Sequence, residues 1–235
     1  MSETPQRVTS TPRPTDAGQK AQGRRAAGQD PIKRQQILDG AKRIFLSVGF
    51  EAASMNDITQ EAGVSKGTIY VYFEDKEALF AALIQHERGA VLARIEAALD
   101  PAVPVAEALF EFGTTLSARL TAPEVIRSQR MVLGVAERMP RLASQFFGPE
   151  PFSGATVLSR YLDQKVAAGV LAIPDTSLAA RQFIDLSMAG FFKRCLFGVI
   201  ADTPTPEEIR RVARSAVDMF LRYYGKGEAS SKAQP

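Results

Sequence analysis

The sequence predicts an all-α fold: a small N-terminal three-helix bundle containing a helix-turn-helix, joined by a long helix to a larger helical domain. Three observations predict it. Apolar residues recur at the three- and four-residue spacing of amphipathic helices from residue 31 to residue 224. No stretch of useful length alternates apolar and polar residues as a half-buried strand does. Two helix-start residues, Ser54 and Ser65, stand on either side of a single glycine, Gly63, which leaves room for one short helix, a tight turn and another helix.

Residues 1–29 are rich in Thr, Ser, Pro, Gly and Gln and carry Arg7, Arg13, Lys20, Arg24 and Arg25 against only Glu3 and Asp16. Such a segment buries too little apolar surface to offset the entropy of ordering, so a disordered basic tail is expected. From residue 31, Ile32, Ile37, Ala41, Ile44, Phe45 and Val48 mark one face of a helix that stops at Gly49. Two short helices follow at 55–62 and 66–72, then a long one over 75–99, ended by Pro101 and Pro104. Further helices are expected over 105–120, 123–138, 140–147, 152–168, 177–197 and 206–224. The last has the strongest start signal: Thr205 as cap, Pro206 at the first position and Glu208 three residues after the cap. The domain division is therefore a tail over 1–29, a helix-turn-helix head over 30–77, a larger helical domain over 78–225 and a flexible tail over 226–235.

A chain of 235 residues with 45% hydrophobic composition can bury a real core. Its one cysteine, Cys195, cannot pair within the chain and sits among Phe191, Phe192, Leu196 and Phe197, so it reads as a small buried apolar residue. No apolar run approaches the roughly 20 residues of a membrane span, and the first residues lack a signal peptide's apolar stretch, so a cytoplasmic protein is expected. The net charge of +3 permits a polyanionic partner without requiring one. The sole histidine, His86, opens His-Glu-Arg-Gly-Ala, which lacks the second histidine of the zinc-protease pattern. Gly63-Val64-Ser65-Lys66-Gly67-Thr68 has the wrong order for a phosphate loop and follows no strand. We expect neither a metal nor a cofactor, and no nucleophile and base stand in a pattern that points to an enzyme.

The informative stretch is residues 54–73. Ser54 with Asp57 forms a capping box, Gly63 frees the backbone to stop the helix, and Ser65 caps the next one almost at once. Ile58, Ala62, Val64, Ile69 and Phe73 can share a small core with Phe45 and Val48. At about 100° per residue, turning Ile69 and Phe73 inward points Gly67 and Val71 outward, with Lys66, Thr68, Tyr70 and Tyr72 on the flanks. Such a face suits a DNA groove. Gly67 allows close approach, Lys66 can reach a phosphate or a guanine edge, and Thr68 can bond a backbone oxygen or touch a thymine methyl. Tyr70 and Tyr72 can each pack one ring side on the small core and extend the hydroxyl to a phosphate. Ser54 and Ser65 stand at helix N-termini, whose free amides favour phosphate. The tail arginines are either solvated charge or a minor-groove arm.

The run Ile58-Thr59-Gln60-Glu61-Ala62-Gly63-Val64-Ser65-Lys66-Gly67-Thr68-Ile69-Tyr70-Val71-Tyr72-Phe73-Glu74-Asp75-Lys76-Glu77-Ala78-Leu79 resembles the TetR/AcrR family signature, and the resemblance extends over residues 33–84. It implies that the helix opening at Ser65 is a recognition helix and that Lys76, at the start of the long helix, contacts phosphate. Thr59 departs from the pattern, where a small apolar residue is usual. Val125-Ile126-Arg127, Glu137 to Ala143, Ala168-Gly169-Val170-Leu171 and Ala179-Ala180-Arg181-Gln182-Phe183 resemble the AefR-like C-terminal domain.

The resemblance further implies a homodimer held by the last two long helices, 177–197 and 206–224, here with small Ala189 and Gly190 at the approach. It also implies double-stranded operator DNA as partner and a small-molecule ligand bound in the larger domain. Phe110, Phe112, Met131, Phe146, Phe147, Phe152 and Tyr161 lie on the helices that would form the ligand cavity, with Arg130 and Glu137 as polar candidates. The long helix is then the lever, with Lys76, Leu79 and Phe80 at the head and Leu92, Ile95 and Leu99 beside the cavity. Repression is the leading expectation, and activation or nucleoid organisation by the same fold stays open.

Overall fold

The computed structural model describes residue 28 and residues 30–141, 153–200 and 202–226. Over these residues the chain forms ten α-helices, and its only β feature is an isolated antiparallel bridge between Leu171 and Gly225. Asp30 caps the first helix, α1 (Pro31–Ala52), by accepting from the Ile32 amide at 2.9 Å. The regular part of α1 ends where expected, at Gly49, whose φ of 82° lies in the left-handed region that glycine alone enters freely. Then come α2 (Met55–Glu61), α3 (Lys66–Tyr72) and the long α4 (Lys76–Ala97), which is capped by Asp75 through the Ala78 amide at 2.7 Å.

The larger domain is built from α5 (Val105–Leu120), α6 (Pro123–Val135), α7 (Gly154–Ala167), α8 (Thr176–Ser187), α9 (Phe191–Leu196) and α10 (Pro206–Tyr224). Its core gathers Phe112, Leu158, Tyr161, Phe183 and Phe220, with Phe183 and Phe220 meeting edge to face at 5.2 Å between centroids. A second core fills the head: Ile37, Leu38, Phe45, Phe50, Ile58, Ile69, Leu79 and Phe80. That head core also includes Val132 and Val135 from α6, so the two domains share an element.

Three expectations change. The single helix over 177–197 is two, α8 and α9, because Gly190 takes a φ of 80° between them. Apolar residues continue at helical spacing through the break, so periodicity could not reveal it. Gly190 is a helix breaker and not a small residue set in a helix for close approach. The helix expected over 123–138 ends at Val135. The one expected over 140–147 lies largely outside the described residues, and the one expected from 152 begins at Gly154 with Ser153 as its cap.

Two glycines in the helices test the packing. At Gly40 a Cβ would stand 2.7 Å from Ala62 Cβ and 2.9 Å from Ala62 Cα and N, which is where α1 crosses the end of α2. Gly40→Ala should therefore lower the melting temperature of the intact chain, at a cost of about 1–3 kcal/mol. At Gly89, exposed within α4, a Cβ meets nothing within 4 Å. Gly89→Ala should raise stability by about 0.5–1 kcal/mol through its better helix propensity. Urea unfolding of both variants gives the two signs.

Candidate nucleic-acid interface and ligand cavity

The turn between α2 and α3 is fixed by its own side chains. Ser54 Oγ accepts from the Asp57 amide at 3.1 Å, while Asp57 Oδ2 accepts from the Ser54 amide at 3.1 Å and from the Ser54 hydroxyl at 2.6 Å. At the far end Gly63 takes a φ of 61°, which lets the Val64 amide turn back to Thr59 O at 3.2 Å. Gln36 of α1 donates to Ala62 O at 2.6 Å and ties this turn to the head. Ser65 then caps α3 through the Thr68 amide at 3.1 Å, and its hydroxyl pairs with the Thr68 hydroxyl at 2.7 Å. Thr59, the departure from the pattern, is buried and gives its hydroxyl to Met55 O at 2.6 Å, so it costs no unpaired polar group.

Burial orients α3. Ile69 is 0% exposed and Phe73 is buried, with the Arg34 guanidinium over the Phe73 ring at 5.5 Å. The opposite side carries Lys66 and Gly67, both exposed, Tyr70 at 46% exposure and Val71 at 52%. Thr68 and Tyr72 are half-buried on the flanks. A cation, a residue without a side chain, a hydroxyl and a phenol thus share one outward face, which is the chemistry that reads phosphates and base edges.

Lys76 has a different place from the one the resemblance implies. Its ammonium donates to the carbonyls of Phe50, Glu51 and Ala53 at 2.8, 3.2 and 2.9 Å, and lies 4.5 Å from the Phe50 ring centroid. The carbonyls at the end of a helix lack intrahelical partners, and here one lysine satisfies three of them. All three of its hydrogens are taken by backbone oxygens, so its charge works as a clamp between α1 and α4.

Above this clamp lies a cavity of about 380 Å³. The head contributes Lys42, Phe45 and Leu46, and α4 contributes Phe80, Leu83, Ile84, Glu87, Arg88, Val91, Leu92 and Ile95. The remaining wall comes from Leu116 and Leu120 of α5, Glu124, Val125, Ser128, Gln129 and Met131 of α6, residues 153–155, Ile184 of α8 and Phe192 of α9. Lys42 pairs with Glu87 at 2.7 Å on the wall. The lining is overwhelmingly apolar, and its residues belong to both domains.

Against protein-family models, residues 37–83 match the bacterial regulatory proteins of the tetR family, and residues 107–226 match the AefR-like transcriptional repressor C-terminal domain. The chain belongs to the TetR family. It is 32% identical to the HTH-type transcriptional repressor Rv1474c of Mycobacterium tuberculosis, over 71% of this chain and 83% of that one. It is 26% identical to the regulator UidR of Escherichia coli, over 78% and 87% of the two chains. Among solved structures, a TetR-family regulator from Mesorhizobium loti superposes with a TM-score of 0.76 at 27% identity, covering 83% of this chain and 97% of the other. The flavonoid-responsive regulator FrrA superposes with a TM-score of 0.68 at 29% identity, covering 84% and 99%. The helix-turn-helix of α2 and α3 is accordingly the DNA-binding element of a TetR-family transcription regulator. Among the described residues no helix is long and apolar enough to cross a membrane.

Of the ligand-site residues expected from sequence, the structure puts only Met131 on the wall of this TetR-family cavity. Phe112 and Tyr161 are core residues, and burial pushes the Tyr161 hydroxyl up to about 12. Phe110 faces away, under the Arg214 guanidinium at 4.3 Å. Arg130 donates to Leu196 O at 2.8 Å and Cys195 O at 2.7 Å, capping the end of α9, and Glu137 is exposed. Cys195 is buried, and that burial pushes its thiol up. Phe146, Phe147 and Phe152 lie outside the described residues. Of the lever residues, Leu92 and Ile95 do border the cavity, whereas Leu99 packs in the domain core. The sequence reading missed Gln129. Its signal was there: Ile126, Gln129, Val132 and Val135 form one buried stripe at three-residue spacing, and Gln129 is its single polar member.

The clamp makes its own prediction. Lys76→Met keeps the apolar stem over Phe50 but leaves the carbonyls of Phe50, Glu51 and Ala53 without their donor. Stability should fall by about 1–3 kcal/mol. The salt dependence of operator binding should stay as in the parent chain, since no phosphate contact is lost.

Proposed function

We propose that this chain is a dimeric repressor whose two α3 helices enter the major groove at the halves of a palindromic operator, and that a small molecule in the cavity between head and larger domain releases it. The observation that carries this is the outward face of α3, where Lys66, Gly67, Thr68 and Tyr70 project from a helix anchored by Ile69 and Phe73. Lys66 takes a phosphate or guanine edge, Gly67 admits the helix to the groove floor, and the Thr68 methyl meets thymine. Tyr70 and the half-buried Tyr72 reach phosphates through their hydroxyls. Ser54 and Ser65 hold the caps and present the first amides of their helices to the backbone.

The outer faces of α8 and α10 support the dimer. Leu178, Met219 and Tyr223 are exposed there, Tyr223 at 78%, along a shallow groove also lined by Gln182, Asp185 and Leu186. A second copy of the same face would cover them, and a two-fold axis matches a palindrome. Heads on such a dimer must stand one helical turn apart on DNA, about 34–36 Å, so a modest tilt abolishes joint docking. Ligand control is supported by a cavity that touches α1, α4 and α6 together, and by the flavonoid response of a structural neighbour, which suits a compact fused-ring ligand. Ligand and operator then weaken each other by the same factor.

Lys66→Ala should lower operator affinity about tenfold, which is roughly what one good base or phosphate contact is worth, without moving the melting temperature. If the lost contact is to phosphate, the slope of log affinity against log salt falls by about 1 for each contact. Fluorescence anisotropy over a salt series measures both. A Lys66→Ala/Tyr70→Ala double variant that binds as the parent does would sink the proposed face. Tyr223→Arg and Met219→Arg should each give monomers by sedimentation and lose operator binding together with the dimer, because each buries an unpaired charge in an apolar contact.

A further inference from the structure

The cavity wall holds one polar group that the protein itself leaves unused. Gln129 is 4% exposed, it lines the cavity, and among the described residues no group hydrogen-bonds its side-chain amide. Its neighbours on α6 differ: the Ser128 hydroxyl is taken by Glu124 O at 2.9 Å, and Arg130 is spent on the end of α9. Buried amides without partners are rare because each forfeits its hydrogen bonds to water. An amide that opens only into an otherwise apolar cavity is a recognition group for something that enters it.

The charges on the wall limit what that is. Lys42 and Arg88 stand against Glu87 and Glu124, two of each sign, and Lys42 is already paired with Glu87. An ionised ligand would be desolvated without an uncommitted counter-charge. The volume of about 380 Å³ lies in the range of pockets that enclose small organic molecules.

We propose that the cavity takes an uncharged, rigid, largely apolar ligand bearing a carbonyl or hydroxyl oxygen, and that the Gln129 amide is the residue that reads this oxygen. The inference rests on the ligand-controlled reading above and adds the class of ligand and the residue that selects it. Gln129 is a specificity residue, because an apolar wall holds any molecule of the right shape, whereas a buried amide penalises one that leaves it unpaired.

The test uses the full-length chain and three probes titrated by calorimetry: flavone, a rigid apolar frame with a ketone; flavan, the same frame without the ketone; and a flavone carboxylate. Parent protein should bind flavone about tenfold or more tighter than flavan. In Gln129→Leu that ratio should collapse towards one, through loss of flavone affinity and not loss of flavan affinity. Gln129→Met, which keeps the length of the side chain, serves as the second variant if the first unfolds, and should give the same collapse. The carboxylate should bind at least about tenfold weaker than flavone.

A flavone-to-flavan ratio that survives in both variants overturns the role of Gln129. Failure of flavone and flavan alike to bind the parent, or tighter binding of the carboxylate, overturns the ligand class. Operator release is measured separately. Flavone binding with the predicted ratios but no release of operator upholds this inference and sinks the ligand-controlled reading. Release by flavone and flavan at equal affinity does the reverse.

Discussion

Everything that links the two ends of this molecule passes through three phenylalanine rings. Phe45 and Phe50 from α1 and Phe80 from α4 meet at 5.0 Å, 5.7 Å and 4.9 Å between centroids, and the Lys76 ammonium closes the set from above. Rings at these separations gain more than their buried area alone supplies, and the pairing has a preferred geometry. The consequence is mechanical. The start of α4 cannot shift against α1 without breaking aromatic contacts and uncapping a helix end, so head and lever behave as one piece. Phe45 and Phe80 also form part of the cavity wall, which puts the joint itself within reach of whatever occupies that space.

The second link runs along α6. Ile126 and Gln129 lie on the stripe that turns towards the larger domain and the cavity, while Val132 and Val135, one and two turns later, are counted in the core of the head. Just past the helix, Arg138 forms an ion pair with Glu51, which sits beside the Lys76 clamp and whose carboxyl is held below its ordinary range by that hydrogen-bonded guanidinium. Both side chains are well exposed, so the pair contributes little energy and serves more to set register. The packing of Val132 and Val135 carries the weight. A short helix thus begins in one domain and ends in the core of the other.

The helix-turn-helix was legible because its determinants are local. Caps such as Ser54 with Asp57, and a stop such as Gly63, act within three or four residues, and the structure has each of them where residue types alone put it. What escaped the sequence was set by contacts distant along the chain. Arg130 looks like a polar cavity group until the end of α9, 65 residues on, takes its guanidinium. Lys76 looks like a free cation until α1 brings three carbonyls to it from positions 23 to 26 residues earlier. Phe112 has the right residue type and the right helix for a ligand contact, but the register of α5 turns it into the core against Phe183 at 6.2 Å. The break at Gly190 escaped because hydrophobic period and helix continuity are different properties: side-chain rows can stay in phase across a left-handed residue.

The head is too small to define its own geometry, and this bears on how a ligand could act. Its two seven-residue helices, α2 and α3, are below the length at which helices persist unaided, so their orientation depends on the shared core. That core is completed by Val132 and Val135 of α6, and its edge is the cavity wall formed by Phe45 and Phe80. Repositioning α6 or spreading α1 from α4 would therefore do two things together. It would tilt the heads relative to each other and weaken the packing that holds α3 at its angle within each head. A palindromic site punishes the first through spacing, and the entropy of re-ordering a loosened α3 on DNA adds the second. Because both effects arise from the same few buried residues, a small differential affinity at the cavity is enough to be felt at Lys66 and Thr68, which have no contact with the ligand at all.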